Sequence, residues 1–176
     1  MPGSGTSRHL NVPLVGQQHG YDGRPLQQPD LRGRLKPHGH MACWYASATM
    51  VSYYFRLGPR LGLPMVWQAD EGLTVNSISR LAAAEGLKAL PRPLAGITAE
   101  WLAGHLKNDG PIWAAVRVIL DGYTGGHAIV LTGVHGAAVS YNDPWEPSRK
   151  TNAVSWLDFV LFRLPNAMLV KDRSRS

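Results

Sequence analysis

Residues 41–51, MACWYASATMV, hold the only cysteine of the 176-residue chain and predict a helix that begins at Cys43. Small and apolar residues follow the cysteine closely, which is typical of a helix packed inside a domain. A thiol at a helix N-terminus faces unpaired backbone N–H groups and the positive end of the helix dipole, and both favour the nucleophilic thiolate. Because a free cysteine is more often a buried core residue, this segment alone leaves both interpretations open.

The composition is that of one globular domain. The hydrophobic fraction is 44%, and the chain is long enough to bury a sizeable core. No run of about eighteen apolar residues is present, so a membrane partner is not expected. The first residues also lack the apolar segment of an ordinary signal peptide. A single cysteine excludes an internal disulfide framework and a cysteine-rich zinc site, which suits a protein that works in a reducing compartment.

The chain is basic, with a formal charge of +6 and a pI of about 9.8. This balance would suit an acidic partner, but the basic residues are scattered apart from residues 32–36 and 171–175. No recognition helix or RNA-binding signature accompanies them, so nucleic acid is not expected as a direct ligand. His19, His38 and His40 are better explained as loop residues than as metal ligands, because no cysteines or clustered carboxylates lie near them. We therefore expect neither a metal nor a cofactor.

The sequence predicts one folded domain over residues 11–170. A flexible N-terminus is expected over residues 1–10, and a basic tail over residues 171–176. Glycines and prolines mark residues 19–40 as a long insertion loop that leads to the cysteine.

Helical patterns come first along the chain, and strand patterns follow them. The predicted helices cover residues 43–55, the segment from Thr74 or Asn76 to Gly86, and residues 98–108. The predicted strands cover residues 111–118, 127–134, 137–142 and 167–170, with turns at 121–126 and 135–136 and a short helix at 156–164. Helices followed by antiparallel strands are the mark of an α+β fold.

Thiol catalysis needs two further groups: an imidazole that takes and returns the proton, and a polar side chain that orients the imidazole. His127 opens a strong strand pattern 84 residues after Cys43, and Asp143 ends the partner strand 16 residues further on. Antiparallel pairing brings the start of one strand beside the end of the next, so His127 and Asp143 are predicted neighbours. Asn142 would point to the opposite face, so only one of the two can face His127.

Four segments resemble the papain-like cysteine peptidases: Cys43-Trp44 at a helix start, residues 127–134 (HAIVLTGV), residues 142–145 (NDPW) and residues 12–18 (VPLVGQQ). The bacterial effector proteases of that family, which are injected into host cells, share the Ala-Cys-Trp-Tyr-Ala-Ser core and a Tyr-Asn-Asp-Pro ending. The peptidases that trim bacteriocin leaders are more distant. The resemblance implies a papain-like fold, in which the cysteine helix of an N-terminal helical part packs on a C-terminal antiparallel sheet.

The resemblance also implies roles for three residues. Cys43 is the expected nucleophile, His127 the general base and acid, and Asp143 the carboxylate that orients the imidazole. Trp113 and Trp145 would either line substrate subsites or pack in the core.

A glutamine ahead of the cysteine is the remaining element of the family pattern. Gln17 would polarise the scissile carbonyl together with the backbone N–H of the cysteine. In the family this glutamine lies a few residues before the cysteine, whereas 25 positions separate Gln18 from the cysteine here, which implies the insertion. The sequence leaves open whether Gln17, Gln18, Gln27 or Gln28 supplies this oxyanion donor.

The resemblance implies a cysteine endopeptidase that forms a thioester on Cys43 and hydrolyses it. Such a protein would be a bacterial effector or toxin domain, secreted or injected into a competing or host cell, where it cleaves a cytosolic protein. A toxin of this kind implies a cognate immunity or inhibitor protein in the producing cell. One alternative keeps the same triad in a peptidoglycan amidase or in an acyl-transfer or deamidating enzyme. The other is a basic binding module in which Cys43 is merely buried.

Overall fold

The structure, a computed structural model, describes residues 7–19, 24, 25, 27–29, 32–37, 39–55, 71–91, 93, 94, 96–120, 123–145 and 150–175. The helices are α1 (Cys43–Phe55), α2 (Ile78–Glu85), α3 (Ala99–Asn108) and α4 (Trp156–Phe162). The strands are β1 (Ser7–His9), β2 (Gln27–Pro29), β3 (Leu35–Pro37), β4 (Leu87–Ala89), β5 (Ile112–Leu120), β6 (Tyr123–His135), β7 (Ala138–Asp143), β8 (Lys150–Ser155) and β9 (Arg163–Lys171). Within these described residues, no helix is both long and apolar enough to cross a membrane.

One antiparallel sheet of seven strands forms the centre of the fold. Its order is β4-β9-β5-β6-β7-β8, and β1 also pairs with β6. The strands β2 and β3 form a separate two-stranded hairpin. Three of the helices precede β5, and the long antiparallel strands follow, so the predicted α+β fold is confirmed.

Helix α1 begins at Cys43 and ends at Phe55, as its sequence predicts, and it is buried against the sheet. All eight residues that follow the cysteine are buried. Ser47 Oγ donates a hydrogen bond of 3.0 Å to the carbonyl of Ala128 in β6, which satisfies a hydroxyl inside the core. The indole N–H of Trp113 in β5 donates to the carbonyl of Trp44 at 3.0 Å. These two bonds hold the first turns of α1 on the middle strands of the sheet.

The two middle helices follow their predicted boundaries, with one difference at a cap. Gly86 ends α2 with a φ of 60°, the left-handed conformation that glycine adopts at low cost. Thr98 caps α3, because its side chain accepts a backbone N–H from the first turn. Thr74 occupies the cap position of a turn of 3-10 helix over Val75–Ser77, which runs directly into α2, and Ser77 rather than Asn76 occupies the cap position of α2 itself.

Several strands extend beyond their predicted limits or have no sequence signal at all. β6 begins at Tyr123, so it takes in most of the predicted turn, of which residues 121 and 122 lie outside the described residues. Ser7–His9, within the segment expected to be flexible, pair with β6. The short strands β1 and β4 form because distant partners offer free edges, which local sequence patterns do not record, whereas β8 pairs with the preceding strand β7.

Asn142 joins the N-terminal segment to the end of β7. It is 2% exposed, its Nδ2 donates to the carbonyl of Val12 at 3.0 Å, and its Oδ1 accepts from Thr151 Oγ1 at 2.8 Å. The side chain therefore points into the core, away from the face that Asp143 presents.

Replacing Asn142 by alanine should lower the free energy of unfolding by about 1–3 kcal/mol, because it leaves the buried carbonyl of Val12 without its donor. Urea denaturation at neutral pH would measure the change. Asn152→Ala, on the neighbouring strand, is the matched control and should cost less than about 0.5 kcal/mol. If both variants were equally stable, the two hydrogen bonds of the Asn142 side chain would not contribute to the stability of the fold.

Candidate active site

Cys43 is the first residue of α1, and its side chain is partly exposed. A tight turn leads into the helix, with the backbone N–H of Ala42 donating to the carbonyl of Gly39 at 3.1 Å. The first helical turn contains no acidic residue. The positive end of the helix dipole at the sulfur is therefore not offset by a carboxylate in its own first turn.

His127 and Asp143 are neighbours, as the strand pattern predicts. His127 lies in β6 and is 8% exposed, and its Nε2 is 2.8 Å from Oδ1 of Asp143 at the end of β7. The register pairs Asn142 with Val130, so Asp143 and His127 lie diagonally on one face while the Asn142 side chain points to the other. Cys43 lines the same cleft as His127 and lies close enough to raise the pKa of the imidazole.

The charge of His127 reflects these two partners. Burial lowers the pKa of His127, but the hydrogen bonds and charges of Asp143 and Cys43 outweigh burial and raise the pKa from 6.5 to about 9. The ring is therefore a cation at neutral pH. An imidazolium carries the proton that a leaving group needs, so the ring is suited to act as a general acid.

Trp145 covers the pair formed by His127 and Asp143. Its backbone N–H donates to Asp143 Oδ1 at 2.9 Å, the same oxygen that contacts the imidazole. Its indole ring lies 5.9 Å from the His127 ring in an edge-on arrangement and is 39% exposed. The tryptophan thus fixes the carboxylate and shields one side of its hydrogen bond from water.

Gln17 lies beside the segment that leads into α1. It is 1% exposed, its Nε2 donates to the carbonyl of His40, and its backbone N–H donates to the carbonyl of Pro144 at 2.9 Å. Because Nε2 carries two hydrogens, the bond to His40 leaves a second donor on that amide. Gln18 instead points outward, with its Nε2 3.2 Å from the ring of His40.

The other two glutamines that could supply the oxyanion donor lie in the separate hairpin. Gln27 and Gln28 belong to β2, where they pair with Pro37 and Lys36 of the hairpin. Of the four candidates, Gln17 alone is buried between the residue after Asp143 and the turn before the cysteine helix, as far as the described residues show.

Cys43 and His127 both line a cleft of about 410 Å³. The other residues that line it are mostly apolar and come from distant parts of the chain: His40, Met41, Trp44, Gly72, Leu73, Val75, Ile78, Trp113, Ala115, Val118, Gly126, Ala128, Trp145 and Leu164. The two tryptophans whose roles the sequence leaves open therefore both reach the cleft, although Trp113 is otherwise buried.

Most of the residues that line the cleft could not be predicted from the sequence. Leu73, Val118 and Leu164 carry no chemical signature, and they meet only because the sheet and α2 bring them together. The hydrogen bond from the Trp145 backbone to Asp143 is equally invisible in the sequence, although the adjoining proline does indicate a turn there.

A helix that presents a cysteine to a histidine on an antiparallel sheet, with an apolar cleft between them, defines the papain-like class of cysteine hydrolases. The family model of the papain-like cysteine protease AvrRpt2 matches residues 26–160. The chain belongs to this family, and it is a cysteine protease whose substrate is a protein.

Proposed function

We propose that Cys43, His127 and Asp143 form the catalytic triad of an endopeptidase. The thiolate attacks a peptide carbonyl, the carbon–sulfur bond forms, and the imidazolium gives its proton to the leaving amine as the carbon–nitrogen bond breaks. His127 then takes a proton from water, which hydrolyses the thioester and releases the thiolate. The observation that supports this proposal is one buried imidazole that is hydrogen-bonded to the carboxylate and lines the same cleft as the thiol.

The oxyanion that forms in each step needs donors fixed in advance. We assign this role to the second Nε2 hydrogen of Gln17 together with the backbone N–H of Cys43, since the glutamine amide is anchored at the turn before α1. The mostly apolar walls of the cleft suit an extended peptide that places apolar side chains beside the scissile bond.

Gln17→Ala should lower kcat by about 10²–10³-fold, because it removes one oxyanion donor while leaving the triad in place. Stopped assays on one cleaved peptide would give kcat and KM separately, and KM should change little. Gln18→Ala is the matched control, because its amide is exposed, and it should stay within about twofold of the wild type. A larger loss in the Gln18 variant would assign the oxyanion role to that residue.

The biological role proposed here is that of a bacterial effector or toxin delivered into another cell. The substrate would then be a protein of the target cell's cytosol, and the producing cell would need an immunity or inhibitor protein against its own enzyme. Membership of the AvrRpt2 family supports the effector role, and the single thiol suits a reducing cytosol.

Mass-spectrometric comparison of new protein N-termini tests the activity and finds its substrate. Cells that express the wild type and cells that express Cys43→Ala would be compared, with equal amounts of both proteins. We expect a small set of N-termini that appear only with the wild type. If muropeptides were released from cell walls and no protein were cut, the triad would belong to a peptidoglycan amidase. If the two cell populations shared every N-terminus, the peptidase proposal would fail.

A further inference from the structure

A basic hairpin occupies the segment between Gln17 and Cys43. Its strands β2 and β3 pair antiparallel, with Gln27 opposite Pro37, and lie outside the seven-stranded sheet. Gly33 lies in the turn with a φ of 74°, a conformation suited to glycine. The hairpin therefore forms a separate two-stranded unit and adds no strand to the seven-stranded sheet.

The base of this hairpin is held at the wall of the cleft. Gln17 donates to the carbonyl of His40, and the Gln18 side chain contacts the His40 ring. His40 itself lines the cleft. Because β3 ends at Pro37, three residues before His40, the Cα atoms of these two residues are at most about 11 Å apart. A peptide that lies in the cleft therefore passes close to the end of β3.

The hairpin segment concentrates positive charge. Residues 19–40 are an eighth of the chain, yet their four basic and two acidic residues give a third of its net charge of +6. Lys36 is the middle residue of β3, and Arg34 directly precedes the strand, so two positive charges lie within three residues at this side of the hairpin. Arg34 is exposed and Lys36 is half-buried.

The residues that line the cleft carry little charge with which to distinguish an acidic substrate from a neutral one. Among the described residues that line it, none is acidic and none is a lysine or an arginine. Arg34 already interacts within the protein, and a guanidinium keeps its positive charge when it is paired, so it still contributes to the field that a substrate carboxylate meets. Charge recognition at this end of the cleft would therefore come from the hairpin.

We propose that Arg34 and Lys36 form a docking site for acidic residues of the protein substrate near its scissile bond. The inference rests on the proposed peptidase function and adds a substrate class to it. The described residues of β2, β3 and the turn between them include no phenylalanine, tyrosine or tryptophan on which a base could stack, so carboxylates of a protein fit the hairpin better than a nucleic acid does.

The test uses two synthetic peptides built on one cleavage site found by the comparison of N-termini. One peptide carries four aspartates or glutamates within ten residues of the cut, and the other carries asparagines or glutamines at the same positions. The proteins compared are the wild type, Arg34→Gln/Lys36→Gln and the control Lys88→Gln/Lys107→Gln, which removes two exposed lysines outside the cleft lining. The ratio of kcat/KM for the acidic peptide to that for the neutral peptide is the quantity measured.

For the wild type we expect a ratio of about five, because exposed ion pairs are individually weak, and the ratio should fall as ionic strength rises. The hairpin variant should bring the ratio to about one while cutting the neutral peptide at the wild-type rate, and the control should keep the wild-type ratio. Equal cleavage of both peptides by the wild type would overturn the docking site alone, whereas cleavage of neither would count against the peptidase function as well. Binding of poly(U) RNA that depends on Arg34 and Lys36, without any preference for the acidic peptide, would also overturn the proposal.

Discussion

Cys43→Ala and His127→Ala should each lose at least about 10⁵-fold in kcat/KM, and the double variant should lose no more than either one. The thiol and the imidazole act as one unit, since both line the same cleft and the ring holds the proton that the leaving amine needs. Without either group, only substrate binding and the oxyanion donors remain, and they supply a small residual rate.

A peptide cut at a mapped site would be the substrate in this comparison, with product followed by mass spectrometry. His105→Ala is the matched control, because His105 also contacts a carboxylate, Asp109 at 2.6 Å, but lies on α3 outside the cleft lining. The control should keep nearly full activity. Circular dichroism should show all variants folded, since Cys43 is partly exposed and its removal costs little packing.

The chemistry of the thiol gives a second measurement on the same proteins. As Cys43 is the only cysteine, iodoacetamide should attach once to the wild type and not at all to Cys43→Ala. Alkylation should be slower in His127→Ala, which lacks the cation that stabilises the thiolate. Retained proteolysis in the Cys43 variant, or wild-type activity that survives full alkylation, would rule out the sulfur as nucleophile.

The parts of the site that sequence reasoning could predict are local ones. The helix at Cys43 consists of small and apolar residues with two serines and one threonine among them, and the structure begins and ends it where the sequence indicates. β6 and β7 are joined by a tight turn, so their pairing follows from chain connectivity, and His127 and Asp143 meet as a consequence. The two-residue period of a strand predicts that only one of Asn142 and Asp143 can face His127, and the family resemblance favours Asp143, which the register of β6 and β7 places on the face of His127.

The parts that sequence reasoning could not predict depend on distant partners. β1 pairs Ser7 with His135, a contact that no local pattern encodes. The position of Gln17 depends on the carbonyls of His40 and Pro144, which lie far apart in the sequence and meet only in the folded domain. The long spacing between Gln17 and Cys43 suggests that the two residues lie apart. The residues between them form a hairpin, however, and the chain returns to the cleft at the base of that hairpin.

Asp143→Ala should lose about 10³–10⁴-fold in kcat/KM, and Asp143→Asn should lose less. Asparagine keeps an oxygen that can accept from the His127 ring and the Trp145 backbone, as Oδ1 does now, whereas alanine removes the acceptor altogether. Asn142→Ala should keep most of its activity despite its lower stability, because its side chain points away from the imidazole. If the Asn142 change removed activity and both Asp143 changes were silent, the assignment of the orienting residue would be reversed.

The pH profile separates the orienting role of Asp143 from its charge. The pKa of His127 is raised to about 9 in the folded protein, so activity that needs the imidazolium should decline as pH rises through about 9. Asp143→Asn removes one cause of that rise and should move the alkaline limb of kcat/KM to lower pH. Tyr141 should not contribute to this limb, because burial and the charge of Asp143 raise its pKa above its usual value of 10.

The raised pKa of His127 also makes the free energy of unfolding depend on pH. Since the folded pKa lies above the unfolded value of 6.5, the stabilisation is complete below pH 6.5 and is lost as pH rises through about 9. The difference in free energy of unfolding between the wild type and Asp143→Asn should therefore be larger at pH 6 than at pH 10. Urea denaturation at the two pH values measures it. A difference that did not change with pH, together with an unmoved alkaline limb, would mean that Asp143 orients the ring without stabilising its charge.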